Sequence, residues 1–140
     1  SFDEVINQTE HFIHEMGTKF VLESLETLRK NGRLSTVTAT LASALNIKPV
    51  MTSNGNGEID KVTQARGMSK AIIKMADAIK ADAVDPQNHT LMIAHCNNRK
   101  RAEFVKEEIL KRLSFKDVQI TETGGISSLY AADGGIVVCY

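Results

Sequence analysis

"IKPVMTSNGNGEIDKVTQA", residues 47–65, decides the fold class of this chain. Two strand-like runs flank Asn54-Gly55-Asn56-Gly57, and Asn-Gly between such runs is a strong β-hairpin signal. The hairpin builds antiparallel neighbours into the sheet and argues against a purely parallel one. Pro49 has no N–H for a ladder, so its strand is expected at a sheet edge or to begin near that point.

Working outward toward the C-terminus, strands and helices alternate. Ile72, Ala76, Ile79 and Ala83 mark one helix face, which ends before Asp85-Pro86. "TLMIAHC" reads as a short strand of the fully buried type. Ala102, Val105, Ile109 and Leu113 mark the next helix, "KDVQITE" alternates as a strand, and "GIVVCY" closes the chain as another. This alternation after residue 67 predicts an α/β layer with a mixed β-sheet packed with helices.

Toward the N-terminus, Phe2, Val5, Ile6, Phe12, Ile13 and Met16 recur at helical spacing, with Gly17 as the stop. "KFVLES" follows as a short strand. Ser24 is placed to cap a short helix over 25–30, and Gly32 suits the left-handed residue that ends it. A small helix over about 36–45 is apolar on one side through Ala39, Leu41, Ala42 and Leu45. No repeat, low-complexity segment or linker divides the chain, so residues 1–140 are expected to form a single domain.

Composition narrows the function. Seventeen basic and seventeen acidic residues cancel, leaving no global field to attract nucleic acid or anionic membrane. The local clusters Arg99-Lys100-Arg101 and Lys111-Arg112 fall on a helix with Glu103, Glu107 and Glu108 and read as a solvated mixed-charge face. No apolar run is long enough for a membrane span. Cys96 and Cys139 lie in apolar strand-like runs and read as reduced core residues, which fits a cytoplasmic setting. The chain opens at Ser1 without a methionine, directly into a helical pattern, and is read as a piece excised from something longer.

"TETGGISSLYAADGG", residues 121–135, reads least like scaffold. A P-loop needs a lysine after its glycines, and Gly124-Gly125 is followed by Ile126 and Ser127. The stretch is expected to offer at most a single helical turn, so it lacks the helix N-terminus that favours phosphate. His11 and His14 beside Glu15 supply half of a metal site with no third ligand in view, and read as surface residues. His95 and Cys96 are adjacent in a strand, so their side chains diverge and form no thiol–imidazole pair. Arg33 sits just past a helix-ending glycine, where its planar fork can reach across a cleft to a carboxylate or phosphate. The plainer role is a surface arginine capping the preceding helix carbonyls.

Three stretches carry a family resemblance. "LESLETLRKNGRLS" (22–35), "ATLASALNIKPVMTSNGNGEIDKVTQARGMSKAI" (39–72) and "ITETGGISSLYAADGGIVVCY" (120–140) resemble, in order, segments of the second domain of DegV-family fatty-acid-binding proteins. The resemblance implies a DegV-like C-terminal domain whose N-terminal partner domain is absent from this sequence. It implies a non-catalytic subunit without cofactor or metal. Such a subunit holds a long-chain fatty acid and presents its carboxylate to a separate fatty acid kinase catalytic subunit.

On the same resemblance, Arg33 matches the arginine that faces the ligand head group. Tyr130 falls where relatives place the histidine of a His-Thr-Gly-Pro-Gly-like run, and Asp133 brings a negative charge to that run. A tyrosine still donates a hydrogen bond there, without the charge of an imidazolium. Arg66 matches an arginine associated with docking to the kinase. Leu41, Ala42, Leu45, Ile126 and Leu129 are expected along the acyl tail, a plain core role being the alternative for each. Half a cleft leaves apolar surface open, so the fragment is expected to self-associate. Two other readings remain: a phosphoryl-transfer domain related to dihydroxyacetone kinase acting through His95, and a regulatory or assembly domain whose ligand site has decayed.

Overall fold

The computed structural model describes residues 1–34 and 46–140. The helix expected over 36–45, with Leu41, Ala42 and Leu45, lies outside the described residues. Helix α1 spans Phe2–Glu15, strand β1 Thr18–Val21, helix α2 Glu26–Lys30, strand β2 Ile47–Ser53 and strand β3 Ile59–Arg66. Helix α3 (Met68–Asp82), strand β4 (Thr90–His95), helix α4 (Arg99–Leu110), strand β5 (Asp117–Glu122), helix α5 (Gly125–Ala131) and strand β6 (Ile136–Cys139) complete the order.

The strands form one six-stranded mixed sheet in the order β3-β2-β1-β6-β4-β5, and β4 and β5 are its parallel pair. The hairpin 47–66 forms as its sequence demands. Asn54 accepts at Oδ1 from the N–H groups of Asn56 and Glu58, and Gly57 takes a φ of 76°. Pro49 is not on an edge strand: β2 lies between β3 and β1. However, β1 meets β2 only at Thr52 and Met51, so Pro49 lies beyond that ladder and its missing N–H costs nothing there. Edge strand β3 carries a register shift opposite Val50 and Met51, which twists an exposed edge away from further pairing.

One sheet face is sealed by α3 and α4. Every second residue of the central strands points into this core: Val21, Leu91, Ile93, Ile136 and Val138. Ala71, Ile72, Met75, Ala76 and Ile79 of α3 and Ala102, Val105 and Ile109 of α4 meet them. Full burial of a side chain such as Ile72 or Ile79 contributes about 1.5–3 kcal/mol, so this face carries most of the stability.

The structure corrects several expectations. Strand β4 alternates buried and half-buried residues; it is not buried on both faces. The loop after β5 holds a seven-residue helix, α5, opened by Gly124, where a single turn was expected. Helix α1, by contrast, stops where expected, at Glu15 with Met16 as an extended cap just before Gly17. Gly17 is small because a Cβ there would stand 2.5 Å from the Tyr140 ring. The charged clusters on α4 are not simply solvated: Arg101 and Arg112 keep only 19% of their side-chain surface and bind partners on other elements.

Candidate functional site

The second sheet face is apolar and, among the described residues, only half covered. It shows Thr18, Phe20 and Leu22 from β1 and its end, Val137 and Cys139 from β6, and Met92 and Ala94 from β4. The register sets them in rows, with Phe20 beside Val137 and Ala94, and Thr18 beside Cys139 and Met92. A small second core of Leu22, Leu28, Leu34, Met51 and Ala131 anchors α2 and α5 above one end of this face.

Between floor and cover lies an open trough of about 300 Å³. Phe20, Leu22 and Val137 form its floor, Leu28 of α2 one wall, and Ile126, Tyr130 and Ala131 of α5 the other. Its lining is overwhelmingly apolar, with a few polar groups, which is the composition of a site for an elongated apolar ligand.

The residues singled out in the sequence are distributed as follows. Tyr130 and Ile126 line the trough, with Tyr130 half-buried and Ile126 76% exposed. Leu129, on the same helix, is exposed and is not among the lining residues. Arg33 is exposed three residues past α2, its backbone N–H bonded to Leu28 O, and it does not line the trough itself. Gly32 before it takes the expected left-handed φ of 67°. Arg66 ends the edge strand β3, exposed, away from the trough. Asp133 points to Asn97, whose Nδ2 donates to Oδ1 at 2.9 Å. Phe20, Leu22, Leu28 and Val137 went unnominated as ligand contacts. For Phe20, Leu22 and Val137 the signal was a strand apolar on both faces, and for Leu28 a single apolar position on a short helix; sequence alone separates neither from ordinary core.

A polar cluster holds the α5–β6 connection in place. Glu23 accepts from Lys48 at 2.6 Å and from Arg101 at 2.7 Å, and the other Arg101 nitrogen binds Gly134 O. Burial works against the Glu23 carboxylate, but hydrogen bonds from Lys48 and Arg101 outweigh it and hold its pKa below the ordinary value. Gly134 has a φ of 83°, and a Cβ on it would strike the Arg101 guanidinium. The helix carrying Tyr130 is thus tied to β1, β2 and α4.

His95 is buried at 2% exposure and its Nδ1 accepts from Asn98 N. Cys96 turns the other way, against the second core, so the two side chains diverge. His11 pairs with Glu15 one helical turn on. Among the described residues no group of three His, Cys, Asp or Glu is arranged to hold a metal, and no helix is long and apolar enough to cross a membrane.

Fold and trough together define a class: an α/β domain that seals one face of a mixed sheet and, among the described residues, leaves an apolar trough on the other. The chain belongs to the DegV family, whose model ("Uncharacterised protein, DegV family") it matches over residues 1–140. A DegV domain-containing protein of Streptococcus pyogenes serotype M3 is 31% identical over 140 residues, which are all of this chain and 49% of that protein. The crystal structure of a DegV family protein from Ruminococcus gnavus with vaccenic acid is 48% identical, with a TM-score of 0.96 over all of this chain and 50% of that one. The Streptococcus pneumoniae fatty acid kinase (Fak) B3 protein loaded with linoleic acid is 30% identical, with a TM-score of 0.86 over all of this chain and 49% of that one. The chain therefore spans about half the length of these relatives.

Proposed function

We propose that this chain is the tail-binding domain of a two-domain, non-catalytic fatty-acid-binding protein that presents the acid's carboxylate to a separate kinase subunit. The observation that carries this reading is the half-covered apolar sheet face roofed by α2 and α5. At least three relatives above 25% identity are solved with a fatty acid, and one of them is the fatty acid kinase (Fak) B3 protein.

Each methylene seated in the trough contributes about 0.8 kcal/mol, so the tail dominates affinity. Arg33 and Tyr130 act at the head group. Tyr130 sits on α5, which walls the trough, and Arg33 lies three residues past the end of α2, the other wall. A charge-assisted bond from Arg33 to a carboxylate adds about 1.5–3 kcal/mol. Tyr130 donates a neutral hydrogen bond. Arg66, on the exposed edge of the sheet, serves partner docking. Fatty acid supply to a kinase places the protein in the cytoplasm. Phosphoryl transfer through His95 is disfavoured, because the imidazole is buried and accepts the Asn98 N–H.

The test is mass spectrometry of a denaturing extract of the intact protein carrying these residues. A stoichiometric fatty acid, lost on Phe20→Trp and weakened on Arg33→Ala, is expected. An intact protein that is lipid-free as purified and takes up no added fatty acid sinks the reading.

A further inference from the structure

The trough does not end at α2 and α5. On the same sheet face, toward the start of β1, lies a second cavity of about 400 Å³. Met92, Cys139 and Thr90 form its floor, the last turn of α1 overhangs it through Phe12 and Met16, and Asn88 and His89 stand among its lining residues. The two cavities meet at one cross-strand pair. Thr18 lines the first, Cys139 lines the second, and the two residues are direct register partners with Oγ1 and Sγ 3.8 Å apart. Both side chains are small, so neither residue of this pair raises a bulky barrier between the cavities. Lys19, next to Thr18 on β1, turns to the other face and binds Asp82 and Tyr140, which keeps its charge out of the path.

Resting on the fatty-acid reading, we propose that the acyl chain continues over the Thr18–Cys139 saddle into this second cavity, and that Phe12 and Met16 at its far end set the chain length accepted. From Leu22 to Met16 the path follows six residues, roughly 20 Å at the rise of a strand, which suits a long acyl chain and exceeds a medium one. Phe12 is 57% exposed and Met16 44%, on a helix that buries none of its residues, so their apolar surface stands free at the place where the methyl end arrives. A polar head is a poor fit for this end, since no cationic side chain is among its lining residues apart from the titratable His89.

The experiment loads the intact protein with an equimolar series of saturated fatty acids from medium to long and measures the bound distribution by mass spectrometry. Each methylene denied an apolar seat costs about fourfold in affinity. Cys139→Phe, which closes the saddle, is expected to move the preference to shorter acids by tenfold or more while short acids stay bound. Phe12→Ala, on a helix with no buried residue and therefore safe for folding, is expected to broaden the distribution toward longer acids. Retention of the wild-type distribution by both variants overturns the proposal and leaves the fatty-acid reading standing. Loss of all acids from the wild type overturns both.

Discussion

Lys19 shows how a single residue ties the chain's ends together. Only 4% exposed, it places Nζ 2.6 Å from Asp82 at the end of α3 and 2.9 Å from the Tyr140 hydroxyl. Burial disfavours the ammonium, yet the bonds to Asp82 and Tyr140 prevail and raise its pKa above the ordinary 10.5. Burial also raises Tyr140 above 10.0. A raised lysine contributes stability below its unfolded pKa that is lost as pH climbs through the folded one, and a raised tyrosine acts in the same direction. Unfolding midpoints in urea are therefore expected to hold level to about pH 9 and to fall above about pH 10. In Lys19→Met the alkaline fall is shallower, and an unchanged alkaline limb would refute the assignment. Gly17 belongs to the same corner. Gly17→Ala forces a methyl into the Tyr140 ring and is expected to cost about 1–3 kcal/mol of unfolding free energy, measured by urea titration.

At the scale of the element, α1 and α3 have similar sequence patterns and opposite fates. Both are amphipathic, and α3 buries Ala71, Ile72, Met75, Ala76 and Ile79, whereas α1 buries none of its residues. Phe2, Val5, Phe12 and Ile13 are each more than half exposed. A stripe of this kind associates with any apolar surface it meets. The 140-residue chain is expected to self-associate with rising concentration, and Val5→Glu with Ile13→Glu to return it to a monomer. Sedimentation velocity decides this, and a wild-type monomer at all concentrations would contradict it. The hairpin was legible because Asn54 and Gly57 act through local geometry. Helix α5 was not, because Gly124 and Gly125 are poor helix formers and its turns are held by packing on α2 and by the Glu23–Arg101 anchor.

For the whole molecule, one sheet face is core and the other a channel, so ligand binding and stability are coupled. At a free concentration a hundred times Kd, a fatty acid stabilises its protein by about 2.7 kcal/mol, on the order of 10 °C in melting temperature. The intact protein is expected to show that shift. On the two-domain reading proposed above, the 140-residue chain alone is expected to show a clearly smaller shift. Equal shifts in a thermal melt would mean that this domain alone completes the site.

The sequence by itself determined the mixed α/β class, the hairpin, all six strands and the core faces of α3 and α4. These rest on periodicity and turn chemistry, which are local. Family resemblance singled out Arg33 and Tyr130, and of the two it is Tyr130 that lines the trough. Tertiary structure alone decided which sheet face is sealed and which stays open. Phe20 and Val21 are adjacent and equally apolar, yet one floors the trough and the other sits fully in the core. Nothing in their sequence separates them: the difference is where α3 and α4 pack, and that contact is made across the chain rather than along it.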